Sequence, residues 1–220
     1  MNILSLDTAT HTGWAVASGK IIDSGVEDFS ILTKPTKTKP ADHPGLRFAK
    51  FERWLLEKIS LYKIDIIAYE MVVGGRNAGG NTSLIQKGLE ALLLMRASIG
   101  RGGQPIPVWA FAAATIKKFA TGDGRLTHES KIQMIDTARQ EFADQTFVPH
   151  NPTKSQPWDW DDNQCDALWI AELARRCCVC RQAFEPEFDL FGSYAPNLTP
   201  LANLVIADKW TPKISKCHRR

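Results

Sequence analysis

The 220-residue chain is short of cysteine, of charge of one sign, and of long apolar runs. Its five cysteines are odd in number and lie late, at Cys165, Cys177, Cys178, Cys180 and Cys217. A disulfide framework needs an even set in a secreted chain, so a reducing compartment, with the cytosol as default, is the expectation. Cys177, Cys180, Cys217 and His218 offer zinc-ligand atoms. The first pair continues a helix and the second is adjacent, so inert thiols are expected there instead. No stretch is long enough to span a membrane, and because Asp7 interrupts the first apolar run with no basic residue before it, the N-terminal stretch is not expected to be a signal peptide. Twenty-seven basic residues against 24 acidic ones leave only +3. That balance excludes a charge-driven nucleic-acid coat, so any such contact must come from local patches. The candidates are Lys34 to Lys39, the set Lys117, Lys118, Arg125 and Lys131, and the tail Lys209, Lys213, Lys216, Arg219 and Arg220. Each is otherwise a solvated face or a loose end.

What is present suffices for one core. At 44% apolar content the chain is expected to form one domain over 1–180 and an irregular basic extension over 181–220, where prolines crowd Phe184 to Pro212. The organising stretch is Asn2 to Val16. Ile3, Leu4 and Leu6 predict a buried strand, Thr8 to Gly13 has turn chemistry, and Trp14 begins a returning strand. Asp7 falls where the buried strand meets solvent. There it either caps the turn through an Asx-type hydrogen bond or stands as a carboxylate that needs a cation. Lys20 to Glu27 predicts a third strand, and Ser30 to His43, with Pro35 and Pro40, a loop. From Pro44 the spacing of Leu46, Phe48, Phe51, Trp54, Leu55 and Ile59 predicts a helix ending before Lys63.

Ile64 to Glu70 is a second apolar run closed by one carboxylate. The strand, helix, strand order favours a mixed sheet whose parallel central pair brings Asp7 and Glu70 to the same edge, the edge where open sheets place their crevice. The Gly-rich segment 73–81, with Arg76 and Asn77, lacks the Gly-Lys-Ser/Thr of a nucleotide loop. It is either a plain connector or a surface for a phosphate backbone. Thr82 to Ile99 predicts an apolar helix serving the core or a dimer interface. A short strand at Val108 to Phe111 and a short helix at Ala112 to Phe119 follow. Thr127 or Ser130 then caps a helix running to about Phe142, with Lys131 in its first turn, where a phosphate ligand would offset the adverse helix dipole. After a Pro- and Trp-containing loop over 147–160, a helix opens at Asp161. One of Asp161 and Asp162 is expected as its cap, Asp162 and Asp166 share a face, and Asp166 faces inward and needs a partner.

The ordered segments Leu4-Ser-Leu-Asp7-Thr followed by Gly13-Trp, Ile66-Ile-Ala-Tyr-Glu70, Ile116 to Gly124 followed by Lys131, and Asp166-Ala-Leu-Trp-Ile-Ala resemble the RuvC family of Holliday-junction resolvases, of the ribonuclease H-like superfamily. The resemblance covers about residues 2 to 175 and is nearer the phage-type and organellar relatives than the compact bacterial enzyme. It implies an α/β fold with a mixed five-stranded sheet flanked by helices. It implies metal-dependent, paired symmetric nicking of four-way DNA junctions by a homodimer, leaving 5′-phosphate ends in a cytoplasm or another reducing, DNA-containing compartment. Asp7, Glu70 and Asp166 would be metal ligands and Lys131 would act near the scissile phosphate, with Lys117 or Lys118 sharing that role. Where the family has a fourth acid this chain has Asn163, leaving Asn163 itself or Asp162 as the further ligand. The aromatic wedge that some relatives carry after the second acid is replaced by Met71 and Val72.

Hard oxygen ligands select Mg²⁺, with Mn²⁺ as a substitute, and two such ions serve in-line phosphoryl chemistry. Arg76, Asn77, Lys117, Lys118 and Arg125 are the candidate DNA contacts. The rival readings are a broader flap or fork nuclease, a non-catalytic junction-binding relative, and an ATP-binding actin-like or sugar-kinase-like protein. Asp7 to Gly13 resembles the phosphate hairpin of that last group, but its duplicated second domain does not fit the remaining length.

Overall fold

A computed structural model describes residues 1–71, 80–125, 127–150 and 158–184. Strands β1 (Asn2–Asp7), β2 (His11–Ser18) and β3 (Lys20–Asp28) form an antiparallel meander. Helix α1 (Leu46–Leu61) then crosses to β4 (Ile66–Met71), and α2 (Gly80–Ile99) to β5 (Val108–Ala112). Both β4 and β5 add in parallel, giving the order β3-β2-β1-β4-β5 in a mixed sheet of the five strands that the resemblance implies. The chain closes with α3 (Ala113–Thr121), α4 (His128–Glu141) and α5 (Asp162–Phe184). α5 runs past the expected division at 180/181, and residues 185–220 lie outside the described residues. None of the described helices is long and apolar enough to cross a membrane.

The alternation of side chains along a strand divides the core in two. Leu4, Leu6, Trp14, Val16, Ile67 and Tyr69 meet α1 and α2, where Phe51, Trp54, Leu55, Leu89 and Leu93 are buried. Ile3, Ala15, Ala17, Ile66, Ala68 and Phe111 meet α3, α4 and α5. On that second face the Ser5 hydroxyl donates to the Ala167 carbonyl of α5 at 2.7 Å.

Several boundaries differ from expectation for local reasons. The first turn is shorter than Thr8 to Gly13: β2 begins at His11, because the Thr12 hydroxyl closes the turn by donating to the Ala9 carbonyl and accepting from the Ala9 amide. Turn closure thus falls to Thr12 instead of Asp7. α1 begins at Leu46 with no side-chain cap, and Leu46 is exposed, outside the apolar stripe proposed for it. In α2, Leu89, Leu93 and Ala97 enter the core while Leu84, Met95 and Ile99 are exposed, so core packing accounts for one stripe of the helix.

Candidate active site

β1 and β4 run parallel with Leu6 opposite Tyr69, so the next positions along the two strands are Asp7 and Glu70. By alternation both carboxylates project to the face that carries Ile3, Ser5, Ile66 and Ala68, toward α5. Two like charges at the ends of neighbouring strands, each half-buried, disfavour their own ionised forms. Burial chiefly, then Glu70 and Asp166, raises the Asp7 pKa well above the usual carboxylate range against the pull of Lys131. Burial and Asp166 push Glu70 up to about 7, opposed by Lys131 and Lys117.

α5 brings the remaining acids. Asp161 is its cap: the carboxylate accepts from the amides of Asn163 at 2.9 Å and Gln164 at 3.3 Å. That leaves Asp162 free of the capping role, and Asp162 and Asp166, one turn apart, both reach Lys131 of α4. The ammonium lies 3.0 Å from Asp162 Oδ2 and hydrogen-bonds Asp166 Oδ2. Burial works to discharge Lys131, but Asp166, Asp162 and Asp7 outweigh it and hold the lysine protonated. Two acids of the neighbouring helix thus partner Lys131. Its helix starts with a reciprocal box in which both proposed caps act: the Ser130 amide donates to Thr127 Oγ1 at 3.2 Å and the Thr127 amide to Ser130 Oγ at 3.1 Å.

Sequence reasoning passed over the residue that sets how close α5 comes. Gly13 pairs with Asp7 across the hairpin, and a Cβ built on it would stand 1.8 Å from the Asn163 carbonyl oxygen. Only a hydrogen at that position lets the first turn of α5 press on β2. The same contact packs Gly13, within β2 and past the turn, against α5. Gln164 was also missed. Fully buried, it accepts from the Val148 amide at 2.7 Å and donates to the Thr146 carbonyl at 2.9 Å, tying the segment before α5 to the helix.

The structure therefore gathers Asp7, Glu70, Asp162, Asp166 and Lys131 at one sheet edge, with Lys117 close enough to act on Glu70. Asn163 belongs to the site through its backbone against Gly13. Lys118 is exposed at the end of α3, and Arg125 is an exposed residue engaged by Asp123 at 2.7 Å. Arg76 and Asn77 lie outside the described residues. Among the described residues no three His, Cys, Asp or Glu side chains form a ready-made metal cage. The donor set nonetheless suits a hard divalent cation. It offers only oxygen, and four carboxylates, Asp7, Glu70, Asp162 and Asp166, stand against the two lysines Lys131 and Lys117.

No protein-family model matches the chain. It is 29% identical over 145 residues to the crossover junction endodeoxyribonuclease RuvC of Ehrlichia ruminantium (strain Welgevonden), covering 62% of this chain and 81% of the relative. It is 27% identical over 138 residues to the protein of the same name from Ehrlichia chaffeensis (strain ATCC CRL-10679 / Arkansas), with the same coverage. The fold is similar to that of T. thermophilus RuvC in complex with Holliday junction substrate, at a TM-score of 0.54 and 18% identity over 83% of this chain and 96% of that one. The sheet and its flanking helices are ribonuclease H-like.

Proposed function

The chain is RuvC-like in sequence and in fold, and from that premise we propose that it is a metal-dependent endonuclease that resolves four-way DNA junctions by paired symmetric nicks, leaving 5′-phosphate ends. The observation that carries the proposal is the meeting of Asp7 and Glu70, from adjacent parallel strand ends, with Asp166 and Asp162 of α5 and the buried Lys131. Asp7, Glu70 and Asp166 would hold Mg²⁺, or Mn²⁺ in its place, with Asp162 or Asn163 as a further ligand, and a pair of ions is the expected complement. When bound, the metal supplies an activated water and charge neutralisation at the phosphate.

The chain's own residues do the rest. Gly13 and the Asp161 cap set the depth and start of α5, so that Asp166 arrives beside Lys131. Lys131 lies among the acids, fully charged at neutral pH, where it can offset charge developing on a phosphate oxygen. Lys117 and the exposed Lys118 and Arg125 extend positive charge from this edge for the DNA backbone, a role we also assign to Arg76 and Asn77. A homodimer would present two such sites to the two-fold junction.

The test is cleavage of an end-labelled synthetic four-way junction, with linear-duplex and flap controls, in Mg²⁺ and in EDTA. Paired nicks confined to the junction and abolished by EDTA are expected. Equal cutting of flaps replaces the reading with a branched-DNA nuclease, and binding without cutting replaces it with a non-catalytic relative.

A further inference from the structure

The two helices that bring charge to the site each have an aromatic ring at their entrance. His128 is the first residue of α4, one turn before Lys131, and Trp158 stands shortly before the Asp161 cap of α5. Their ring centroids are 5.6 Å apart with the planes 42° from parallel. Helical side chains lean toward the helix N-terminus, so Lys131 lies back over the turn that His128 begins. His128 is exposed and Trp158 partly so, unlike the rings that fill the two cores.

Trp158 is also held in place. The His150 amide donates to the Asp159 carbonyl at 2.7 Å and the Asp161 amide to the Val148 carbonyl at 2.9 Å, which makes a short two-stranded strap pinned below by Gln164. Trp160 anchors the same strap, 6.0 Å from the Phe147 ring and 5.0 Å under the Arg139 guanidinium. The buried Trp158 Nε1 has no hydrogen-bond partner among the described residues. Ring contacts, and no polar tether seen there, set the orientation of this indole. Trp158 packs one side against the core on the α5 face and is partly exposed on the other, so beside the exposed His128 imidazole it forms a preorganised π surface.

We propose, building on the resolvase reading, that His128 and Trp158 form a stacking platform for an unstacked nucleobase at the branch point, next to the phosphate engaged by Lys131. Bases inside a duplex cover one another's faces. Where strands exchange, a face is left open, and an aromatic side chain recognises it regardless of base identity. The platform would therefore contribute to selection of branched over linear DNA.

The experiment measures binding in EDTA of a fluorescent four-way junction and of a matched linear duplex to the wild type, His128→Ala and His128→Phe, with a 2-aminopurine placed at the branch point. We expect His128→Ala to weaken junction binding about tenfold, in the range of one lost base stack. Duplex binding should change less than twofold and the 2-aminopurine quenching seen with the wild type should be lost, while His128→Phe, which retains a π face, restores both. A junction-selective wild type matched by His128→Ala overturns the platform alone, as do equal losses on junction and duplex or a failure of His128→Phe to restore binding. A wild type with no preference for junction over duplex overturns the resolvase reading and the platform with it. Thermal unfolding of the exposed-site variants, expected to match the wild type, excludes misfolding as the source of a loss.

Discussion

The two faces of the sheet are built from the same strands and treat charge in opposite ways. Toward α1 and α2 the core is aromatic and dry, with Phe29 edge-on to Phe51 at 5.3 Å and Trp54 edge-on to Phe29 at 5.5 Å. Charges on that side stay at the rim, among them Arg96 paired with Glu52, Lys87 with Glu90, and Lys58 over the Trp14 ring at 3.5 Å. Toward α5 the strands end on Asp7 and Glu70, where the acids outnumber the lysines among them. A one-residue step along a strand moves a side chain from one regime to the other. The difference teaches that both faces bury an apolar core, and that only the second also carries carboxylates at its strand ends, where burial disfavours their ionised forms.

The sharpest break of this division comes at the site itself. Asp7→Asn should lower junction cleavage at least about 10³-fold with the fold intact by circular dichroism; loss of folding would make Asp7 structural after all. On the opposite face, Phe51→Ala should cost about 3–5 kcal/mol of stability, read from urea unfolding. Cleavage per folded molecule should be unchanged, and a specific loss of turnover would show that the faces are not separable. Lys131→Ala should cut turnover about 10²-fold while junction affinity moves much less. Equal losses in both would make the lysine a docking residue.

The next effect depends on pH. Glu70, ordinarily at 4.5 and here pushed up to about 7, binds its proton more tightly when folded. The stability this gives is complete below pH 4.5 and is lost as pH rises through about 7. The metal-free wild type should therefore lose up to about 3 kcal/mol against Glu70→Gln over that interval, and Mg²⁺ should return it in thermal unfolding at pH 8. Parallel pH curves for the two proteins would remove the buried-charge account. Smallest is Thr127→Ala, which breaks the box at the start of α4 and should cost about 1 kcal/mol in urea unfolding.

Much of this was legible in the chain, because it rests on short-range pattern. The meander, the order of helices and strands, and the carboxylates at two strand ends follow from local periodicity and turn residues. Less legible was anything that depends on how closely elements approach. Asp161 and Asp162 are equivalent as candidate caps until the path of the preceding strap is known. Thr127 and Ser130 are alternative caps on sequence, whereas the box uses both. The pairing of Lys131 with Asp162 and Asp166 is invisible locally because its two acids lie on another helix.

By itself the sequence placed Asp7 and Glu70 at the ends of two apolar strand runs that a parallel pair brings to one edge; that they share a face follows from the register that sets Leu6 opposite Tyr69. The tertiary structure decided what meets them there. The bare Gly13 against the Asn163 carbonyl, the grip of Gln164 on the strap, and the pairing of His128 with Trp158 are contacts between residues far apart in the chain. Their geometry is fixed by close packing, which no local propensity encodes.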